Sequence, residues 1–228
     1  MARIVKEDEY NVRRNEILES AQRFVYTRGY EQMAIQDILD DLQISKGGFY
    51  HYFTSKQALL EALIERMMLE AEQVITPIVQ DPNLPALEKF QRFFDTTARW
   101  KTARKAIILA LLQGWYSDGN AIVRQKASAA GIKWYAPLLT EIIRQGIREG
   151  VMNNPYPDQI GDVALALMLG MGDAMVGLFI PDGLHPGDLP QLEATLAAYT
   201  DALERILGIH TGSIQLSDLA TLQEWVTS

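Results

Sequence analysis

Apolar residues recur at helical spacing along almost the whole chain, and no stretch shows the clear alternation of a strand. Ile17, Leu18, Ala21, Phe24 and Val25 mark the buried face of a first helix, from about Asp8 or Asn11 to Arg28. Gly29 is placed to end it in a left-handed conformation. Residues 1–7 are expected to form a mobile arm. Ile35, Ile38, Leu39 and Leu42 fall at +3, +4 and +7, one face of a two-turn helix. Ser45 can cap the next, and Ile44 and Phe49 face back to the core. A fourth helix is predicted from Thr54 or Ser55 toward Thr76, limited by Pro77, with Leu59, Leu60, Leu63, Ile64, Met67 and Met68 as its apolar stripe.

Beyond Asp81–Pro85 the pattern predicts helices over 86–100 and 102–115 and a turn at 117–120. A long helix follows over 121–149, with Gly131 and Pro137 expected to kink or split it. Residues 158–180 are almost entirely apolar, and Asp173 is the one charge between Val163 and Ile180. That length is near the lower limit for a membrane span, about 17–20 residues. Asp173, the glycines at 170, 172 and 177 and the lack of basic flanks argue for a helix buried on all sides, with no membrane partner. Gly161, Ala164, Ala166, Gly170 and Ala174 permit close helix contact. Leu189, Leu192, Leu196, Tyr199, Leu203 and Ile206 make a narrow seam over 188–207, and a short amphipathic turn is expected over 217–226. The fold class is all-α.

Two short packed helices, the second showing cationic, polar and aromatic groups, make a helix-turn-helix. Lys46, Tyr50, His51 and Tyr52 are left pointing outward, and no acidic residue lies between Leu42 and Glu61. Tyr50 and His51, being adjacent, cannot both face inward. Gly47-Gly48 is a poor helix former, about 1 kcal/mol per glycine relative to alanine, but lets backbone approach a phosphate.

Ile44-Ser45-Lys46-Gly47-Gly48-Phe49-Tyr50-His51-Tyr52-Phe53, followed by Ser55-Lys56-Gln57-Ala58-Leu59-Leu60, resembles the DNA-binding domain of the tetracycline-repressor (TetR) family over residues 11–67. Ala34 stands where that family usually has a capping Thr or Ser, Gln43 where its turn has Gly, and Gly48 where a Thr, Ala or Ser often touches DNA. The resemblance implies a helix-turn-helix domain over 8–55 and a helical regulatory and dimerisation domain over 56–228. It also implies a homodimer, a double-stranded pseudo-palindromic operator as partner, and a small-molecule effector. The DNA-binding set is Gln36, Ser45, Lys46, Gly47, Gly48, Tyr50, His51, Tyr52 and Lys56. Lys46, Lys56 and Tyr50 are assigned to phosphates, with His51, Tyr52 and Gln36 to base or groove contact.

The formal net charge is −8 over 228 residues. Residues 1–56 hold 8 Lys/Arg against 9 Asp/Glu, leaving 13 against 20 in the remainder. Cations must therefore gather on one face, Lys46 and Lys56 with Arg13 and Arg14 near, and the acidic remainder orients the encounter with DNA. The chain has no cysteine and its first residues lack the apolar run of a signal peptide, which suits the cytoplasm.

There is no nucleotide-binding loop, no Gly-x-Ser-x-Gly and no His-Glu-x-x-His, and His51, His185 and His210 have no metal spacing. Neither catalysis nor a cofactor is expected. Trp100, Gln113, Trp115, Tyr116, Trp134 and Asp173 could line an effector cavity, as the resemblance implies, or be ordinary core. A rival to the regulator is a helical protein that holds a hydrophobic ligand and binds no DNA.

Overall fold

The computed structural model describes residues 2–179, 186–216 and 223–225. Among these residues every regular element is helical: α1 Ala2–Arg28, α2 Ile35–Leu42, α3 Lys46–Tyr50, α4 Lys56–Gln80, α5 Ala86–Thr102, α6 Lys105–Trp115, α7 Ala121–Arg148, α8 Ile160–Phe179 and α9 Leu189–Leu207, with single 3₁₀ turns at Asp118–Asn120 and Pro186–Asp188. The segment 217–222, most of the amphipathic turn expected over 217–226, lies outside the described residues, as does Pro181-Asp182-Gly183, which the sequence marks as the end of the apolar stretch 158–180.

The chain forms two compact units, Met1–Met67 with Lys105–Ala127, and Met68–Arg104 with Ser128–Ser228. The first is built on Ile17, Leu18, Val25, Ile38, Phe49, Phe53, Leu59 and Leu60, to which α6 and α7 add Ile107, Leu111 and Val123. The second gathers Ile75, Val79, Phe90, Phe93, Phe94, Leu139, Ile142, Ile143, Leu192, Leu203 and Leu207.

Two expectations about helix ends are corrected. Helix α1 begins at Ala2, so the arm expected over 1–7 is helical from its second residue. Pro77 does not end α4, which runs to Gln80. Only one backbone hydrogen bond is lost there, and the buried Ile75 and Val79 hold the last turn in the core. Helix α7 passes unsplit through Gly131 and Pro137; Ala136 and Leu139 are buried on either side of the proline.

In the second unit the helices are tied by side chains reaching backbone ends. Pro85 gives no side-chain cap to α5. Glu149, just past the end of α7, supplies it instead, Oε2 accepting from the Ala86 N–H at 2.9 Å while Oε1 accepts from Gln145 at 2.6 Å. The Ala86 N–H foremost, then Gln145, hold the Glu149 carboxyl below its ordinary value. The buried Glu204 carboxylate accepts from the backbone N–H groups of Gly212 and Ile214, at 3.0 and 3.1 Å.

Helices α7 and α8 touch almost backbone to backbone. A Cβ on Gly161 would lie 2.0 Å from Thr140 Oγ1 and 2.6 Å from the Ala136 carbonyl oxygen. Past this contact α8 departs from the expectation of burial all round. Ala164 and Leu165 are buried, but Asp162, Val163, Ala166, Gly172, Asp173, Ala174 and Gly177 are exposed. Ile160–Gly177 is long and apolar enough to cross a membrane by length and composition. Periodicity showed an apolar helix; a single chain has too few neighbours to cover it.

Candidate nucleic-acid interface

Helix α2 carries no side-chain cap at Ala34. Its entry is fixed from the other side: the Asp37 carboxylate accepts from the Ala34 N–H at 2.8 Å. Only this half of a capping box can form, because alanine has no acceptor. Gln43 closes α2 in the left-handed region, φ 51° and ψ 43°, its N–H donating to the Leu39 carbonyl. A non-glycine residue there costs about 1–2 kcal/mol, offset in part by the Gln43 Nε2 bond to the Asp40 carbonyl, 2.6 Å.

Ser45 caps α3, its Oγ accepting from the Gly48 N–H at 3.0 Å. Phe49 is fully buried against Phe53, ring centroids 5.9 Å apart, and anchors the five-residue helix to the core. With that face fixed, Lys46, Gly47, Tyr50 and His51 are exposed and Gly48 is half-buried. Tyr50 is 42% exposed, its ring edge-on to Phe49. Gln36 is also exposed, its amide donating to Asp40 at 2.7 Å.

Tyr52 is half-buried and stacks on a residue that the sequence pattern did not single out. Tyr10 of α1 lies 4.8 Å from Tyr52 and 5.7 Å from His51, centroid to centroid. Its only sequence signal was the +7 step to Ile17, at the edge of the expected helix.

The surrounding arginines are committed within the protein. Arg13 pairs with Glu16, Arg14 stands over the Phe53 ring at 5.2 Å, and Arg28 reaches Asp37 at 2.9 Å. Arg23 and Ser20 both donate to Asp41. The Ser20 hydroxyl is the chief cause, ahead of Arg23, of an Asp41 carboxyl held below its ordinary range. Lys56 too is engaged inward, donating to the Glu31 carbonyl at 3.0 Å with Nζ 4.5 Å from the Tyr30 ring centroid.

The arrangement is a helix-turn-helix with Lys46, Tyr50 and His51 presented from its second helix. Residues 17–63 match the family described as "Bacterial regulatory proteins, tetR family", and residues 113–174 match "Tetracyclin repressor-like, C-terminal domain". The chain belongs to the tetR family. It is a DNA-binding transcriptional regulator.

This tetR-family chain is 22% identical over 157 residues to the HTH-type transcriptional repressor DhaR of Mycobacterium sp. strain GP1, spanning 69% of this chain and 79% of that one. It is 33% identical over 67 residues to the HTH-type transcriptional repressor NemR of Escherichia coli K12, spanning 29% of this chain and 34% of that one. Among solved structures, the TetR family transcriptional regulator PfmR of Thermus thermophilus matches at 25% identity and TM-score 0.51, covering 85% of this chain and 97% of its own. The relatives are regulators, in a family not generally enzymatic.

The residues considered for an effector fall in both compact units of this tetR-family regulator. Gln113, Trp115 and Tyr116 belong to the first, and Trp100, Trp134 and Asp173 to the second. Trp115 is half-buried against the first core, and the Tyr116 ring lies 5.3 Å from the Arg124 guanidinium. Trp100 is half-buried beneath Arg104 at 4.4 Å, and its buried Nε1 has no hydrogen-bond partner. Trp134 is half-buried and Asp173 exposed. Among the described residues no group of three or more His, Asp or Glu is placed to hold a metal.

Proposed function

We propose that this regulator is a cytoplasmic repressor that acts as a homodimer on a pseudo-palindromic operator and is released by a small, largely apolar effector. The observation that carries the DNA reading is α3 itself: Phe49 buries one face, Ser45 caps its start, and Lys46, Tyr50 and His51 stand exposed together. Lys46 and Tyr50 position the protein on phosphates, while His51, supported by Gln36, reads base edges. Gly47, without a side chain and exposed, admits a phosphate close to backbone. Two copies of α3 about 34 Å apart enter successive major grooves.

The uncovered apolar face of α8, around Val163, Ala166 and Ala174, supports the dimer, since obligate interfaces are apolar at their centre. The name of one relative, a transcriptional repressor, supports repression. For the effector, the support is the half-buried Trp100, with its unpartnered Nε1, and Trp134 in the second unit. A ligand that favours one arrangement of the two recognition helices shifts DNA affinity, and a coupling of about 1–3 kcal/mol corresponds to roughly 5–150-fold.

Selection of bound sequences from a random DNA pool tests the reading. A palindrome with half-sites one helical turn apart is the expected result, and no enrichment sinks it. Tryptophan fluorescence then screens compounds, and a compound that binds while leaving operator affinity unchanged is not the effector.

A further inference from the structure

Lys56 opens α4, where a cation is disfavoured by the helix dipole, and the first turn contains no acidic residue to offset it. Such a placement calls for a partner, and the structure supplies one inside the first unit. Lys56 Nζ donates to the Glu31 carbonyl oxygen at 3.0 Å and stands over the Tyr30 ring, 4.5 Å from its centroid. Both partners belong to the turn between α1 and α2. Burial, opposed by the Glu31 charge, lowers the affinity of Lys56 for its proton.

Tyr30 is itself held tightly. It is 3% exposed, and a Cβ on Gly114 of α6 would lie 2.2 Å from its Cδ1. The ring thus occupies the room a side chain on α6 would need. Its N–H approaches the Ala110 carbonyl at 3.5 Å. The buried Asn120 hydrogen-bonds the Tyr30 hydroxyl and donates to the Gly114 carbonyl at 2.8 Å. Burial, then the Glu31 charge, push the Tyr30 phenol up to about 12, so it keeps its proton throughout the physiological range. The neighbouring turns of α4 are tied as well, Gln57 Nε2 donating to the Gly119 carbonyl at 2.6 Å and Glu61 pairing with Lys126 at 2.8 Å.

We infer that Lys56 is a positioning residue for operator recognition: it clamps the start of α4 to the α1–α2 turn on Tyr30, and so fixes the attitude of α3, rather than giving its charge to a DNA phosphate. Only five residues, 51–55, join α3 to Lys56. A start of α4 that is free to rock carries α3 with it. Base readout depends on that attitude far more than non-specific attraction does, because hydrogen bonds to base edges are directional and counterion release is not.

The inference rests on the operator-binding reading, and the test separates the two. The matched operator comes from the selection experiment, with a scrambled duplex of equal length as control. Lys56→Met keeps the aliphatic stem and removes the ammonium; Lys56→Gln is carried through the same titrations, so that one folded variant suffices. The expected result is a loss of about tenfold in affinity for the matched site, little change on the scrambled site, and an unchanged salt slope. A phosphate ligand behaves otherwise: equal loss on both duplexes, with the slope shallower by about 0.9 per protomer. That outcome overturns the clamp, as does full affinity in both variants. A wild-type protein that binds neither duplex would instead refute the operator reading.

Discussion

The ring of Tyr10 lies 4.8 Å from the ring of Tyr52, joining the early part of α1 to the residues that follow the recognition helix. His51 completes the group, 5.0 Å from Tyr52 and edge-on at 84°. Tyr52 was expected to face a groove; its ring is half-buried by this stacking and braces the exposed imidazole beside it.

Tyr10→Ala is therefore expected to lower stability by about 1 kcal/mol or more, read by urea unfolding, and to weaken the matched operator. Tyr10→Phe keeps the ring and should behave as wild type in both measurements. Equal losses for the two variants would show that the hydroxyl, not the stacking, matters.

On α3 two exposed residues should separate. Lys46→Ala is expected to weaken matched and scrambled duplexes alike and to reduce the salt slope by about one. His51→Ala should relax preference at particular base pairs, at about 1–3 kcal/mol for each base-edge interaction removed. Titration of a panel of single-base operator variants reads both effects. A uniform loss for His51→Ala would remove it from base readout.

The α8 face gives a clean test of association. Val163 is 50% exposed in the single chain, so Val163→Glu leaves the chain's own core intact. It is expected to yield a folded monomer on a sizing column, with operator affinity falling in parallel. Leu203, fully buried in the second core, is the contrasting site. Leu203→Glu buries an unpaired charge and is expected to unfold the protein rather than merely dissociate it.

Glu149 makes stability depend on acid pH. Its folded carboxyl titrates below the ordinary 4.5 because the charged form accepts from Ala86 and Gln145. The stabilisation is therefore present above about pH 4.5 and lost as the pH falls through the lower folded value. Glu149→Gln keeps an acceptor for the Ala86 N–H but no charge. Its unfolding midpoint should lie below wild type near neutrality and converge with it in acid. Curves that stay parallel as the pH falls through and below the ordinary carboxylate value would exclude Glu149 as a source of the acid limb.

The helix-turn-helix was legible because its signals are local. Ile38 and Leu39 lie on the face that helical spacing marks, Phe49 follows the Ser45 cap, and all three are buried. The inward commitment of Lys56 was not legible, because its acceptor is a backbone carbonyl 25 residues away, which no side-chain pattern marks. Exposure on α8 escaped for another reason. Apolar periodicity tells which residues avoid water, not whether the covering atoms belong to the same chain. The passage of α4 beyond Pro77 reflects tertiary packing of Ile75 and Val79, which outweighs the local signal.

The core of the first unit draws on two stretches of chain, 1–67 and 105–127. A chimera made by grafting residues 1–67 onto another regulator would leave behind Ile107, Leu111 and Val123, together with the glycine against which Tyr30 packs. The severed piece would expose an apolar wound where α6 had been. Modular exchange of DNA specificity in this protein has to carry 105–127 along, or else confine its changes to the exposed residues of α3.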